Sequence, residues 1–268
     1  MAWDLATDFE EEAPRHDVAL APSDAGDPRD LVERMVPPDL LEKYEVYSYG
    51  SAATILAHSH PAIFEELCEA LRAFSITRTI IRTAGGNESD VPKAFSATLR
   101  PKGWYETLIQ GDLLIKKVSR VPVGCDRSGK PLREDKSIIL QRENYLDGHK
   151  VDYVKDRVAF DLEWNSKDQT FDRDLYAFSA FAQTGVIDVG VLVTRGGEEM
   201  TAFIRGLGQA LTRSGEPEVT KSGAPRMVAA KYGASTTWMG KLLYRLNAGR
   251  NGGCPVLVFG ITPRCVRD

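Results

Sequence analysis

The spacing of hydrophobic residues predicts a chain that begins rich in helix and becomes rich in strand. From Pro61 to Phe74 apolar residues recur at helical intervals, which predicts an amphipathic helix with one face toward a core. From Tyr105 the texture changes to two strand-like stretches, ETLIQGDLLIKKVSRVPVG and SIILQREN, with a turn at DRSGKP between them. A β-rich middle therefore follows an α-rich start.

The next part of the chain predicts a strand, a helix and a second strand. Residues 158–167 alternate like a strand, FDRDLYAFSAFAQTG has helical spacing and stops at Gly185, and VIDVGVLVTR is apolar on both sides. Strands joined through a helix in this way run parallel. Two more helices, GEEMTAFIRGLGQAL and STTWMGKLLYRLNAG, precede the apolar strand PVLVFGI. The pattern predicts an α/β fold.

Length and composition restrict the class of protein. A chain of 268 residues can bury one full-sized core, and no apolar run approaches the roughly 18 residues that span a bilayer. The first residues lack a basic start and an apolar segment, so we expect a cytoplasmic protein without a membrane partner. The four cysteines form no CxxC pair, which favours reduced thiols over a zinc or redox site.

The formal net charge of −4 conceals a strong asymmetry along the chain. Residues 1–30 hold nine acidic and two basic side chains and contain PSDAGDPRD, which predicts a flexible acidic arm before a single domain at residues 31–268. From Val219 to Arg267 there are eight Lys or Arg and no Asp or Glu. This basic region favours a nucleic-acid partner.

Carboxylates occur within the predicted strand at residues 158–167. Strand residues alternate between faces, so Asp161, Glu163, Asn165 and Lys167 share the face opposite the apolar residues. A hairpin with this face in water gives the same alternation, and periodicity alone favours that interpretation. The helical crossover that follows favours a central strand, and Asp and Asn are poor strand formers. We therefore expect the acids to converge with Asp152 of the preceding strand, as oxygen ligands suited to Mg²⁺.

These residues carry a resemblance to a known family. Ten residues separate Asp152 from Glu163-Trp164-Asn165, and this hairpin resembles the core of the PD-(D/E)XK nucleases. The segment KYGASTTWMGKLLYRLNAGRNGGCPVLVFGI is similar to the corresponding part of restriction endonucleases such as BglII and BstYI, and the resemblance covers about residues 30–265. It implies a restriction-endonuclease-like core, with a mixed central β-sheet flanked by helices.

The resemblance also implies a function. It predicts a type II restriction endonuclease that acts as a homodimer and hydrolyses phosphodiester bonds of double-stranded DNA with Mg²⁺. The expected target is a palindromic site with a GATC core. A cognate DNA methyltransferase is expected in the same host, though not in a stable complex with this chain.

The same resemblance assigns roles to the carboxylates. Asp152 and Glu163 are expected to bind Mg²⁺ together with the backbone carbonyl of Trp164, whereas Asp161 receives no required role. The family usually carries Lys where this chain has Asn165, and BglII carries Gln there. Asn165 is expected to orient the attacking water, and Lys167 could supply the missing cation. Which of these two catalytic candidates assists the nucleophile stays open.

DNA recognition is expected to concentrate in residues 221–250, which supply cations for phosphates and polar groups for base edges. The side chains expected to bind DNA are Lys231, Ser235, Thr236, Thr237, Lys241, Arg245 and Asn247. Ser235 or Thr236 is suited to cap the following helix, Arg245 to contact guanine, and Asn247 to contact adenine. For any single residue, a solvated basic helix face with Trp238 in the core is an equally good interpretation.

Two other functions compete with this prediction. The absence of Lys at position 165 suggests a DNA-binding protein that has lost catalysis. The same core also suits a structure-specific repair nuclease or resolvase. Discrete bands from plasmid DNA with Mg²⁺ would support the restriction enzyme, whereas binding without cutting, or cutting of branched DNA only, would support the alternatives.

Overall fold

The computed structural model describes residues 22–83, 90–233 and 235–268. Most of the predicted acidic arm lies outside these ranges. Residues 22–28 lie within them, and Asp27 accepts hydrogen bonds from Ser51 N at 2.9 Å and from Ser48 Oγ at 2.5 Å. In the described ranges, no helix has the length and apolar character needed to cross a membrane.

Ten α-helices and eight strands make up the described chain. The helices are α1 (Arg29–Met35), α2 (Pro38–Lys43), α3 (Ala52–Ser59), α4 (Pro61–Ala73), α5 (Arg78–Arg82), α6 (Asp90–Leu99), α7 (Thr170–Gln183), α8 (Glu198–Gly206), α9 (Val228–Lys231) and α10 (Met239–Asn247). The strands are β1 (Tyr44–Tyr49), β2 (Ile76–Thr77), β3 (Tyr105–Cys125), β4 (Pro131–Lys155), β5 (Val158–Glu163), β6 (Val189–Arg195), β7 (Val256–Ile261) and β8 (Val266–Arg267).

The central sheet has six strands in the order β1-β7-β6-β5-β4-β3. Strands β5, β6 and β7 run parallel, and the neighbours on both sides pair antiparallel, so the sheet is mixed. The predicted parallel pairing of the strands around α7 is confirmed, because α7 supplies the crossover between β5 and β6. A small parallel pair, β2 with β8, stands apart from this sheet.

Helices cover both faces of the sheet, as the apolar character of β5, β6 and β7 requires. Alternate residues of β5 enter different cores: Phe160 packs with the helices of the first part of the chain, and Ala159 packs with α7 and α10. Gly190 of β6 leaves the room that the Phe178 ring of α7 occupies, since an added Cβ would lie 2.3 Å from that ring. The predicted α/β class, with a mixed sheet flanked by helices, is confirmed.

Strands β3 and β4 continue far beyond the sheet as a two-stranded ribbon. We call this ribbon, residues 113–142, the arm; it is separate from the predicted acidic arm at the N-terminus. Its turn at Asp126 to Lys130 matches the predicted turn, and the Asp126 carboxylate accepts hydrogen bonds from Ser128 N and Lys130 N. Nearly every residue of the arm is exposed. The sequence predicted the strands but not their projection away from the domain.

Two predicted element boundaries were wrong. Strand β5 ends at Glu163 rather than continuing to Lys167, so alternation along a strand does not set the directions of Asn165 and Lys167. Helix α10 begins at Met239, and its N-cap, Trp238, has no side-chain cap, so neither Ser235 nor Thr236 caps it. The backbone of Thr236 instead forms an isolated bridge with Lys167, which diverts both segments from regular structure.

Candidate active site

Four carboxylates and a histidine gather where β5 ends. Asp161 and Glu163 lie on the face of β5 that α7 covers, and α7 contributes Asp174 from its second turn. Strand β4 contributes Asp152 and His149 from beside β5. The antiparallel β4–β5 pairing and the right-handed crossover through α7 bring together residues that are 25 positions apart.

Asp152 and Asp161 are joined through the backbone. Asp152 N donates to Asp161 Oδ1 at 2.8 Å, and Leu162 N donates to Asp152 Oδ2 at 3.1 Å. These bonds replace the ladder that ends at the Tyr153–Phe160 pair, and β3 and β4 shift register at the same place. As a result, each of the two carboxylates points toward the backbone of the neighbouring strand. β-bulges near active sites commonly redirect side chains in this way.

One oxygen of Asp161, one of Asp174 and a ring nitrogen of His149 all lie within 4.8 Å of one another. Glu163 is only 8% exposed and Asp174 is buried. Five polar side-chain atoms of this region are buried and have no hydrogen-bond partner among the described residues. They are His149 Nε2, Asp161 Oδ2, Glu163 Oε2, Asn165 Oδ1 and Asp174 Oδ2. Buried polar atoms in native proteins normally have partners, so these atoms are candidates to bind a cation.

The charges of the cluster are poorly compensated. Burial, followed by the nearby Asp174 charge, raises the pKa of Glu163 to about 8, and the same two causes raise the pKa of Asp161 well above its usual value. Burial also raises the pKa of Asp152, although its side chain lies at the solvent-accessible mouth of the cluster. Arg173 offers partial compensation, with its guanidinium 3.0 Å from Asp174 Oδ1 and 3.8 Å from Glu163 Oε1.

This donor set suits a divalent cation. Carboxylate oxygens are the preferred ligands of hard cations, and a bound cation would offset the buried negative charge that raises these pKa values. A histidine nitrogen beside the acids is a better ligand for transition metals than for Mg²⁺. A small cavity of about 130 Å³ lies beside His149 and Arg173, so the cluster adjoins open space.

The predicted catalytic residues divide into two groups. Asp152 and Glu163 lie near the group formed by His149, Asp161 and Asp174 and raise the cost of ionising Asp161, but the ligand atoms within 4.8 Å of one another belong to that group and not to the two predicted ligands. Asn165 lies just past the strand with Oδ1 buried, whereas Lys167 is exposed. Trp164, whose carbonyl is the third predicted ligand, packs its ring edge-on against Tyr232 at 5.9 Å.

Three members of the cluster were missed by the sequence reasoning. Asp161 receives no required role from the sequence, and the sequence patterns single out neither His149 nor Asp174. Asp161 could have been identified from the sequence, because an aspartate within a strand that is expected to be buried is unusual. No local pattern identifies Asp174, because its proximity to β5 results from how α7 packs.

The predicted DNA-binding side chains are largely engaged within the protein. Lys231 lies 2.6 Å from Glu218, and Lys241 lies 2.8 Å from Asp168. The Asn247 amide oxygen accepts from Tyr49 Oη at 2.8 Å. The acid-free C-terminal run therefore does not form an acid-free surface, because acids from earlier elements pair with it.

Arg245 and the threonines complete this region. Arg245 donates to Asp172 Oδ2 at 2.9 Å and is only 11% exposed, which favours a structural role over a guanine contact. Thr237 is fully buried, and Thr236 Oγ1 accepts from Arg195 at 3.1 Å. Ser235 is exposed, and its carbonyl accepts from Asp168 N. Base contact by these residues stays a prediction.

A mixed sheet flanked by helices, with acidic side chains gathered at the end of a central strand, is consistent with a restriction-endonuclease-like fold. The family model described as restriction endonuclease BglII/BglIII matches residues 44–261. The chain belongs to this family and is a type II site-specific deoxyribonuclease, a hydrolase that acts on DNA. Comparison with curated proteins gives no match.

Proposed function

We propose that the chain is a Mg²⁺-dependent restriction endonuclease that hydrolyses both strands of duplex DNA at a palindromic site with a GATC core. The observation that carries the metal requirement is the group of buried, unpartnered ligand atoms at the end of β5. Family membership supports sequence-specific action on DNA. A methyltransferase of the same specificity in the same host follows from this function.

In this proposal Asp152 and Glu163 hold the metal, with the carbonyl of Trp164, and Asp161 and Asp174 lie beside them. When bound, Mg²⁺ neutralises charge on the scissile phosphate and lowers the pKa of a bound water. Burial raises the pKa of Glu163 to about 8, so below that pH Glu163 must release a proton before it can act as a ligand. Arg173, beside Glu163 and Asp174, is placed to contact a phosphate from the open side.

Asn165 and Lys167 are the candidates for assisting the nucleophile. An amide cannot act as a general base at neutral pH, so Asn165 would orient the water through Oδ1, which has no partner among the described residues. The exposed Lys167 would supply positive charge toward DNA. The proton of the water would then be accepted by the substrate phosphate, and Mg²⁺, when bound, would assist by lowering the pKa of that water.

Plasmid digestion tests the activity. The protein should give discrete fragments with Mg²⁺ and none with EDTA, and fragment ends should map to a palindrome containing GATC. Asp152→Ala should abolish cleavage while specific DNA binding remains measurable. Asp39→Asn, an exposed acid paired with Arg72 on the helical side, is a matched control that should cut normally.

Each unfavourable result points elsewhere. Specific binding of duplex DNA without cleavage would support a DNA-binding protein that has lost catalysis. Cleavage confined to flaps or junctions would support a structure-specific nuclease. Persistent cleavage by Asp152→Ala would place the metal site among other residues.

We also propose that the protein acts as a homodimer, since cutting a palindrome on both strands requires two sites related by a two-fold axis. The arm supports a second copy as partner. Large apolar side chains are about half exposed on both faces of it, namely Leu114, Ile115, Val118, Val123, Leu132, Ile138, Ile139 and Leu140. A two-stranded ribbon alone is marginally stable in water, and apolar patches of this kind mark protein interfaces.

Charge supports the same partner. The arm carries eight Lys or Arg and three Asp or Glu, whereas the rest of the chain carries 26 and 35. A basic, apolar arm therefore complements the acidic body of a second copy better than it complements a second arm. Sedimentation without DNA should give a dimer, and the double variant Ile138→Glu, Ile139→Glu should give a folded monomer. A wild-type monomer would contradict this interface.

A further inference from the structure

A second concave site lies on the opposite face of the sheet from the acidic cluster. It is a cavity of about 680 Å³ between α8 and the segment that leads into α10. Three cationic side chains line it, those of Arg195, Arg205 and Lys241. Tyr232, Trp238 and Ile204 also contribute to its lining. This volume falls within the range of small-molecule sites and exceeds what a lone inorganic anion needs.

Arg195 is the unusual group in this cavity. It is the last residue of β6, directly after Thr194, which pairs with Glu163 of the candidate active site. Successive strand residues point to opposite faces, so Arg195 points away from the acids and toward the cavity. The residue is only 3% exposed.

The Arg195 guanidinium has little to compensate its charge. Its terminal nitrogen donates to Thr236 Oγ1 at 3.1 Å, and it lies 5.1 Å from the centre of the Tyr232 ring. Its Nε atom is buried without a hydrogen-bond partner, and no acid forms an ion pair with it in the described ranges. Burial lowers the pKa of Arg195 to about 10, which is the consequence expected for an unpaired buried cation.

The rest of the lining favours an organic anion. Burying a cation without a partner is costly, and phosphate is a preferred partner of the guanidinium fork. Trp238 and Ile204 offer an aromatic and an apolar wall. The N-terminus of α8 is not the anion site, because Glu45 already accepts from Gly197 N at 2.9 Å. Glu198 also lines the cavity and would repel an anion beside it, and of the three cations in the lining Arg195 is the buried one without an ion pair in the described ranges.

We propose that this cavity binds one nucleotide, with its phosphate on Arg195 and its sugar and base along Trp238 and Ile204. The nucleotide can come from a DNA strand or from free solution; only the first source rests on the proposed function. Because β5 and β6 are neighbours and end side by side, a nucleotide in this cavity would lie at the same end of these strands as the candidate active site, on the other face of the sheet. Arg195 is thus a binding residue rather than a catalytic one.

The test combines binding and stability of the full chain. Titration with dAMP, with inorganic phosphate and with duplex oligonucleotide is compared for wild type, Arg195→Met and Trp238→Ala. Arg195→Met should weaken at least one nucleotide probe about tenfold or more, because a charge-assisted hydrogen bond is lost. Trp238→Ala should weaken dAMP but leave inorganic phosphate unchanged. Arg72→Met, which removes a cation on α4, is the control and should change neither.

Stability separates a binding role from a structural role. If Arg195 serves a ligand, Arg195→Met should unfold at the same or a higher temperature than wild type in phosphate-free buffer, since an uncompensated buried charge is removed. A lower unfolding temperature together with unchanged affinity for all three probes would overturn the proposal. If Arg195→Met does not fold, unchanged dAMP and DNA affinity in Trp238→Ala and Arg195→Lys would overturn it as well.

The probes also distinguish the sources. Loss of duplex affinity without dAMP binding would assign the cavity to a DNA strand, and dAMP binding with normal duplex affinity would assign it to a free nucleotide. Failure of plasmid cleavage would remove the proposed nuclease function but leave dAMP binding unaffected. The two failures are therefore separable.

Discussion

Glu163→Gln should make the metal-free protein more stable at alkaline pH, although it removes a charged residue from the candidate metal site. Glu163 is buried, and burial together with the Asp174 charge raises its pKa from 4.5 to about 8. The folded state therefore binds a proton that the unfolded chain has released between these two values. The free energy of unfolding should fall as pH rises through this window and level off above about pH 8.

The magnitude follows from the size of the shift. Each pKa unit corresponds to about 1.4 kcal/mol, so the shift of Glu163 alone would cost at most about 5 kcal/mol above pH 8. Asp161, whose pKa is also raised by burial, competes for the same protons, and we therefore expect about 2 to 3 kcal/mol for the single substitution. Glutamine keeps the shape and cannot ionise. Its amide can also donate to the unpartnered Asp174 Oδ2.

Urea unfolding in EDTA at pH 5, 7 and 9 measures the effect. The variant and wild type should differ little at pH 5, and the variant should become the more stable protein at pH 9. Mg²⁺ should stabilise wild type more than the variant, and more at pH 9 than at pH 6, because proton release precedes binding. Parallel pH dependence of the two proteins would refute the account of the cluster as uncompensated charge.

A matched acid with the opposite shift provides the control. Asp39 is exposed, and its hydrogen bond from Arg72 lowers its pKa. Any stability that it contributes is present above the unfolded pKa of 3.8 and is lost as pH falls below it. Asp39→Asn should therefore not gain stability between pH 5 and 9. A gain equal to that of Glu163→Gln would indicate a general effect of net charge.

Three further substitutions test other parts of the structure. Arg245→Met should destabilise the protein by about 2 kcal/mol in urea unfolding, because the guanidinium binds acids of α7 and its neighbouring loop. The DNA sequence that is cut should stay the same. Relaxed specificity without loss of stability would instead support a base contact by Arg245. Asn165→Ala should reduce the cleavage rate more than Lys167→Ala, since the Asn165 oxygen is buried at the end of β5 whereas Lys167 is exposed. An equal or larger loss of cleavage rate in Lys167→Ala would favour Lys167 as the residue that assists the nucleophile. Gly190→Ala should lower the unfolding temperature, with a cost of about 1 to 3 kcal/mol, because the new methyl group would meet the Phe178 ring at 2.3 Å. An unchanged melting curve would contradict that packing.

The sequence by itself determined the fold class and pointed to two of the candidate acids. Apolar runs without alternation marked β6 and β7 as strands buried on both faces, and the strand–helix–strand order required β5 and β6 to be parallel. Acids within an otherwise apolar strand marked Glu163 as a site residue candidate, because an unpaired carboxylate is costly to bury. These inferences rest on local periodicity and chain connectivity, which a single sequence contains.

Only the tertiary structure decided which other groups surround those acids and which cations remain uncompensated. Asp174 reaches the cluster because α7 packs over β5, and Arg245 is neutralised because α10 packs beside α7. Arg195 looks like an ordinary strand-end arginine in the sequence, yet it is buried without an acid partner in the described part of the chain. Charge pairing and burial depend on contacts between distant segments, so composition along the chain does not reveal them.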